Sequence, residues 1–128
     1  MALRVLVVED NAVNLELVAA LLEGEGYQVL SASTAEAGLA LAIRERPDLI
    51  LMDVQLPGMT GYEVTRRLKA VPATAAIPVI ALTAHAMRGE EDRAKEAGCD
   101  AYLTKPLDTQ IFRDTLRRLL GGQGTPPA

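Results

Sequence analysis

Five residues of this chain carry the atoms needed to handle a transferable anion. Glu9 and Asp10 end the apolar run Val5-Leu6-Val7-Val8, and Asp53 ends Leu49-Ile50-Leu51-Met52. Thr83 ends Pro78-Val79-Ile80-Ala81-Leu82, and Lys105 follows Ala101-Tyr102-Leu103-Thr104. Three carboxylates brought together repel, so each becomes harder to ionise. A hard divalent cation such as Mg²⁺ removes that conflict, because it takes oxygen ligands and keeps waters that a phosphate can displace. The Thr83 hydroxyl and the Lys105 ammonium add a hydrogen-bond donor and a positive charge. Carboxylates, metal site, hydroxyl and ammonium together suit phosphoryl transfer.

These residues meet only if the elements carrying them lie side by side. The sequence predicts strands over about Arg4–Val8, Gln28–Ser31, Leu49–Met52, Val79–Leu82 and Ala101–Leu103. They are short, and the inner ones are continuously apolar, which is how strands buried on both faces read. Helices are expected at about Val13–Glu23, Ala35–Arg44, Tyr62–Ala70, Gly89–Ala97 and Thr109–Leu120. Ser33-Thr34-Ala35-Glu36 and Thr60-Gly61-Tyr62-Glu63 match capping boxes, and Asp108 is placed to cap the last helix. Gly24, Gly26, Pro47, Pro72, Gly98 and Gly121-Gly122 mark the stops. The first helix offers Leu15, Val18 and Leu22 as its apolar stripe, widened by Leu17 and Leu21. The last offers Phe112, Leu116 and Leu119, flanked by Ile111, Thr115 and Leu120. The fourth has almost no large apolar residue and should be weakly anchored. Strict alternation of strand and helix implies an α/β fold. We expect a doubly wound five-stranded parallel sheet of flavodoxin-like order 2-1-3-4-5, with helices on both faces. In that order the carboxyl ends of the first and third strands open into one crevice, where Glu9, Asp10 and Asp53 stand.

With these positions in view, the chain from Arg4 to about Leu120 resembles the receiver domain of a bacterial two-component response regulator. The likeness rests on Glu9-Asp10, on Asp53, on Leu56-Pro57-Gly58-Met59 with Gly61, on Ala81-Leu82-Thr83-Ala84, and on Lys105-Pro106. The segments Val8-Glu9-Asp10-Asn11 and Leu82-Thr83-Ala84-His85-Ala86 are most similar to single-domain or hybrid-kinase receivers. The resemblance implies that Asp53 accepts the phosphoryl group, and that Glu9, Asp10, Asp53 and the carbonyl of Gln55 hold Mg²⁺. It implies that Thr83 and Lys105 bind the phosphoryl group, that Tyr102 is a switch aromatic, and that Gln55 and His85 flank the group and tune its lifetime. It implies a cis Lys105–Pro106 bond. The implied partners are a histidine kinase or histidine phosphotransfer protein, and a downstream protein reached through the fourth helix, fifth strand and fifth helix. Residues 1–121 would form the receiver domain and 122–128 a flexible tail. Thr60 stands where the family usually has Asp, a position that concerns turn and cap chemistry.

Composition fits this reading. A chain of 128 residues, 49% apolar, builds one core. The net charge of −4 argues against nucleic acid as a direct partner. No apolar run is long enough to span a membrane, and no signal peptide is recognisable, so a cytoplasmic location is expected. The single Cys99 allows no internal disulfide and reads as a small buried hydrophobe. Two other functions share parts of the pattern. A flavodoxin-like electron carrier would need a Ser/Thr/Gly-rich phosphate loop where Glu9-Asp10-Asn11 stands. A phosphatase with an aspartate nucleophile, of the haloacid dehalogenase type, would carry that aspartate after the first strand, with a second Asp two residues on. Asp53 follows the third strand, and Gln55 stands two residues on. Among receivers no enzyme is expected beyond a domain that catalyses its own phosphorylation and dephosphorylation.

Overall fold

A computed structural model describes residues 2–84 and 89–121. His85 and residues 122–128 lie outside the described residues. Five strands alternate with five helices: β1 Arg4–Val8, α1 Ala12–Gly24, β2 Gln28–Ala32, α2 Ala35–Glu45, β3 Leu49–Asp53, α3 Gly61–Ala70, β4 Val79–Thr83, α4 Glu90–Ala97, β5 Ala101–Thr104 and α5 Thr109–Leu120. All strands pair in parallel in the order β2-β1-β3-β4-β5, as expected from the alternation.

The apolar runs split by parity, because successive strand side chains point to opposite faces. Val5, Val7, Leu49, Leu51, Ile80 and Leu82 pack with Val18 and Leu22 of α1 and Phe112, Leu116 and Leu120 of α5. Leu6, Val8, Ile50 and Met52 pack with Ala35 and Ala42 of α2 and Val64 and Leu68 of α3. A third, smaller cluster joins Val54, Tyr62, Ala81, Ala94 and Ala97, with Tyr102 and Cys99 at its edge. Only Ala94 and Ala97 of α4 are buried, so α4 contributes little apolar area to its own anchoring.

Two apolar residues fall outside the expected stripes. Leu17 is 62% exposed and Ile111 54% exposed. At 100° per residue, Leu17 is turned away from Val18 and Leu22, and Ile111 away from Phe112 and Leu116. Thr60 caps α3 by accepting from Glu63 N–H at 3.2 Å, and Asp108 caps α5 by accepting from Ile111 N–H at 2.9 Å. The cap of α2 is shifted by one residue from the expected box. Thr34, not Ser33, is the N-cap and accepts from Ala37 N–H at 3.1 Å. Both residues carry a capping hydroxyl but only Ser33 has a Glu three residues on, and the extended backbone at Thr34 places the cap there.

Candidate phosphoryl-transfer site

The carboxyl ends of β1 and β3 bring the acidic residues together. Ligand oxygens of Glu9, Asp10 and Asp53 all lie within 4.8 Å of one another. Glu9 and Asp53 are each 2% exposed, while Asp10 faces solvent. Turn backbone holds both buried carboxylates. Asn11 N–H donates to Glu9 Oε2 at 3.3 Å, and Gln55 N–H donates to Asp53 Oδ1 at 3.0 Å. Asn11 itself caps α1, accepting from Asn14 N–H at 3.0 Å.

Lys105 enters from the end of β5. Its backbone N–H donates to the Thr83 carbonyl at 2.8 Å, and its peptide bond to Pro106 is cis. The Nζ stands 2.8 Å from Glu9 Oε1 and 3.4 Å from Asp53 Oδ2. Burial works against the Lys105 charge. The hydrogen bond to Glu9 and the attraction of Asp53 and Glu9 outweigh it, so its pKa is raised. Glu9 is also pushed up, first by burial and then by Asp53, with Lys105 opposing. One ammonium therefore does not neutralise the cluster, and the oxygens retain an unmet demand for positive charge. An all-oxygen donor set with solvent on the Asp10 side suits Mg²⁺. Thr83 is fully buried at the end of β4, while Gln55 is exposed beside Asp53.

Gly61 has a role that turn preference did not reveal. Its φ is not left-handed. A Cβ there would lie 2.2 Å from the Asp53 carbonyl oxygen and 2.9 Å from Met52 Cγ. Its N–H donates to the Val54 carbonyl at 2.9 Å. The glycine lets the start of α3 press against the backbone of Asp53. Gly58, by contrast, has φ +82° and does serve the turn.

Residues 5–117 match the response regulator receiver domain family. The chain belongs to that family. It is a phosphoacceptor signalling module of two-component systems, and neither the electron-carrier nor the phosphatase alternative is favoured. The receiver is 45% identical over 117 residues to the polar-differentiation response regulator DivK of Brucella anthropi, covering 91% of this chain and 95% of that protein. It superposes on the receiver domain of sensor histidine kinase PA1611 from Pseudomonas aeruginosa with a TM-score of 0.87 and 36% identity. That alignment covers 94% and 99% of the two chains, and the PA1611 structure has a magnesium ion coordinated in its active site cleft. Chemotaxis protein CheY4 of Vibrio cholerae gives a TM-score of 0.87 at 29% identity, covering 94% of this chain and all of that one.

Of the expected site residues, the receiver's fold brings Glu9, Asp10, Asp53 and Lys105 into one cluster, with Gln55 at its rim and Thr83 one strand away. Tyr102 sits half-buried on β5, against the small third cluster. Tyr62 was not singled out by its sequence, yet it reaches from α3 to α4 and donates to the Glu90 carboxylate. Cys99 is half-buried at the cluster edge rather than fully buried as expected. Burial raises its thiol, and its Sγ lies 3.9 Å from Thr65 Oγ1. No helix among the described residues is long and apolar enough to cross a membrane.

Proposed function

We propose that Asp53 accepts a phosphoryl group from a phosphohistidine, with Mg²⁺ held by Glu9, Asp10, Asp53 and the Gln55 carbonyl. The observation that carries this is the buried Asp53 carboxylate with Glu9 and Asp10 oxygens within 4.8 Å and Lys105 Nζ at 3.4 Å. Asp53 needs no activating base, since an aspartate is ionised far above its ordinary pKa of ~3.9. A carboxylate oxygen of Asp53 attacks phosphorus and the P–N bond breaks. Its electron pair stays on the donor imidazole, giving an acyl phosphate. When bound, the metal supplies charge neutralisation and alignment of the transferring group. Lys105 and the Thr83 hydroxyl then bind the new oxygens, and water hydrolyses the acyl phosphate to inorganic phosphate and the Asp53 carboxylate, at a rate tuned by Gln55 and His85. The domain so catalyses its own phosphorylation and dephosphorylation.

The donor is a histidine kinase or histidine phosphotransfer protein. A groove of about 440 Å³ opens from Glu9 and Lys105 along Leu17, Val18, Leu21 and Leu107. Exposed Val13 and Leu17 stand on the helix that borders it. This apolar surface is continuous with the carboxylate cluster and suits a helical protein that presents its histidine to Asp53. Output passes to a protein partner through α4, β5 and α5, with Thr83 and Tyr102 as the switch and cytoplasm as the setting.

The test is incubation with acetyl phosphate and Mg²⁺, followed by mapping of the label. Label is expected on Asp53 alone and absent from Asp53→Ala and Asp10→Ala. Wild-type labelling of Asp53→Ala would sink the reading.

A further inference from the structure

The fourth helix poses a packing problem. It runs for eight residues, Glu90 to Ala97, and buries only Ala94 and Ala97. Its N-cap is Gly89, which has no side chain to bond the first-turn amides. Two methyl groups and a C-terminal glycine cap are weak restraints for a helix this short, which would be marginal alone. The additional restraint comes from α3. The Tyr62 hydroxyl donates to the Glu90 carboxylate and approaches the Glu90 carbonyl at 3.4 Å. Glu90 is the first residue of α4, so this bond reaches across 28 residues of sequence to the end of α4 nearest the carboxylate crevice.

The Tyr62 ring is itself fixed. It is 7% exposed and packs in the cluster of Val54, Ala81, Ala94 and Ala97, against which Tyr102 also rests. Val54 directly follows Asp53, and Ala81 lies two residues before Thr83. The hydroxyl therefore stands on a rigid base that touches the neighbours of the phosphoacceptor, while its acceptor stands on the helix with the least anchoring. Burial and the bond to Glu90 both raise the Tyr62 pKa, so the hydroxyl remains a donor throughout the physiological range.

We propose that Tyr62 is a latch on α4: its hydroxyl ties Glu90 to α3 and sets how readily α4 rearranges when Asp53 is loaded. This rests on the reading that α4 and Tyr102 carry the output. A neutral donor bonded to a carboxylate is among the stronger side-chain hydrogen bonds. Its loss therefore shifts an opening equilibrium by about tenfold.

The test is amide hydrogen exchange on the full chain, with and without beryllofluoride and Mg²⁺. Tyr62→Phe keeps the ring and removes only the hydroxyl. It should speed exchange across 90–97 about tenfold, leave α1 at wild-type rates, and tighten apparent beryllofluoride binding several-fold. Glu90→Ala replaces no core residue and should act in the same direction, more weakly because its carbonyl remains. The double variant should exchange no faster than Tyr62→Phe, since both remove one bond. Wild-type α4 exchange in Tyr62→Phe, equal acceleration of every helix, or additive single effects would each overturn the latch. A wild-type protein whose α4 ignores beryllofluoride overturns the output reading instead, and the regulatory meaning of the latch with it.

Discussion

Gly61→Ala tests whether the start of α3 positions Asp53. Two effects compete. Alanine at the first helical position should favour the helix, by up to about 1 kcal/mol over glycine. Against this, its Cβ would meet the Asp53 carbonyl oxygen at 2.2 Å and Met52 Cγ at 2.9 Å. A carbon–oxygen contact needs roughly 3.3 Å, so the two backbones must part by about 1 Å. Neither yields easily. Asp53 sits in the central strand β3, between β1 and β4. Gly61 donates to the Val54 carbonyl at 2.9 Å and accepts from Thr65 Oγ1 at 2.8 Å. Forced overpacking costs about 1–3 kcal/mol, and a contact about 1 Å too short between two held backbones belongs at the upper end, about 3 kcal/mol. The clash therefore wins, with a net loss of about 2 kcal/mol.

For 128 residues the unfolding entropy is about 0.27 kcal/mol/K, so the melting temperature should fall by about 7 °C. The effect on chemistry should be larger than stability suggests. A displacement of about 1 Å at the reacting group can cost on the order of a hundredfold in rate. Urea denaturation and acetyl phosphate labelling rates measure the two losses separately. Gly24→Ala is the control, because a Cβ there meets nothing within 4 Å. It should be neutral or gain up to about 1 kcal/mol. If Gly61→Ala melts with the wild type and labels within a few-fold of its rate, α3 does not position Asp53.

Three further outcomes are expected. The Glu9 carboxyl is raised by burial, so its folded form holds a proton that the unfolded chain releases near pH 4.5. Without Mg²⁺, stability should therefore fall as pH rises above 4.5 through the folded value; Glu9→Gln or saturating Mg²⁺ should flatten that slope in melts between pH 4 and 8. Lys105→Met leaves the Glu9 and Asp53 carboxylates without their cation, and should cost about 3 kcal/mol in metal-free denaturation while enlarging the stabilisation by Mg²⁺. Thr60→Ala removes the α3 cap and should cost about 1 kcal/mol, with labelling nearly unchanged.

The inner strands were legible because β3 and β4 are buried on both faces and must be continuously apolar. The acidic cluster followed, since the topology puts the ends of β1 and β3 side by side. Other features left no local trace. Leu17 and Ile111 read as apolar whichever way they face, and only the rotation of each helix against the sheet turns them outward. The need for Gly61 was not legible, because a glycine required by close approach to a backbone carbonyl leaves the same signature as one required by a left-handed turn. The bond from Tyr62 to Glu90 joins residues 28 apart, so no helical or strand period links them. Tyr62 stood in the sequence only as the start of a helix, inside its capping box.

The charge balance of the site explains why one fold can both hold the metal and respond to the phosphoryl group. Three carboxylates against the single Lys105 ammonium leave two negative charges, which one Mg²⁺ matches. In the proposed reading, loading Asp53 removes its carboxylate charge and brings a phosphoryl group of about two negative charges. The site then carries one more negative charge than before. Lys105 already stands between Glu9 and Asp53, so it can answer by leaning toward the new oxygens with little movement of its backbone. That leaves the remaining donor, the Thr83 hydroxyl at the end of β4, as the group whose response must be transmitted. Thr83 is two residues from Ala81, and Ala81 packs with Tyr62, Ala94 and Tyr102. A pull on the end of β4 is therefore felt first by the cluster that holds α4. Since α4 has little apolar anchoring of its own, it is the element that a small local change in charge can move.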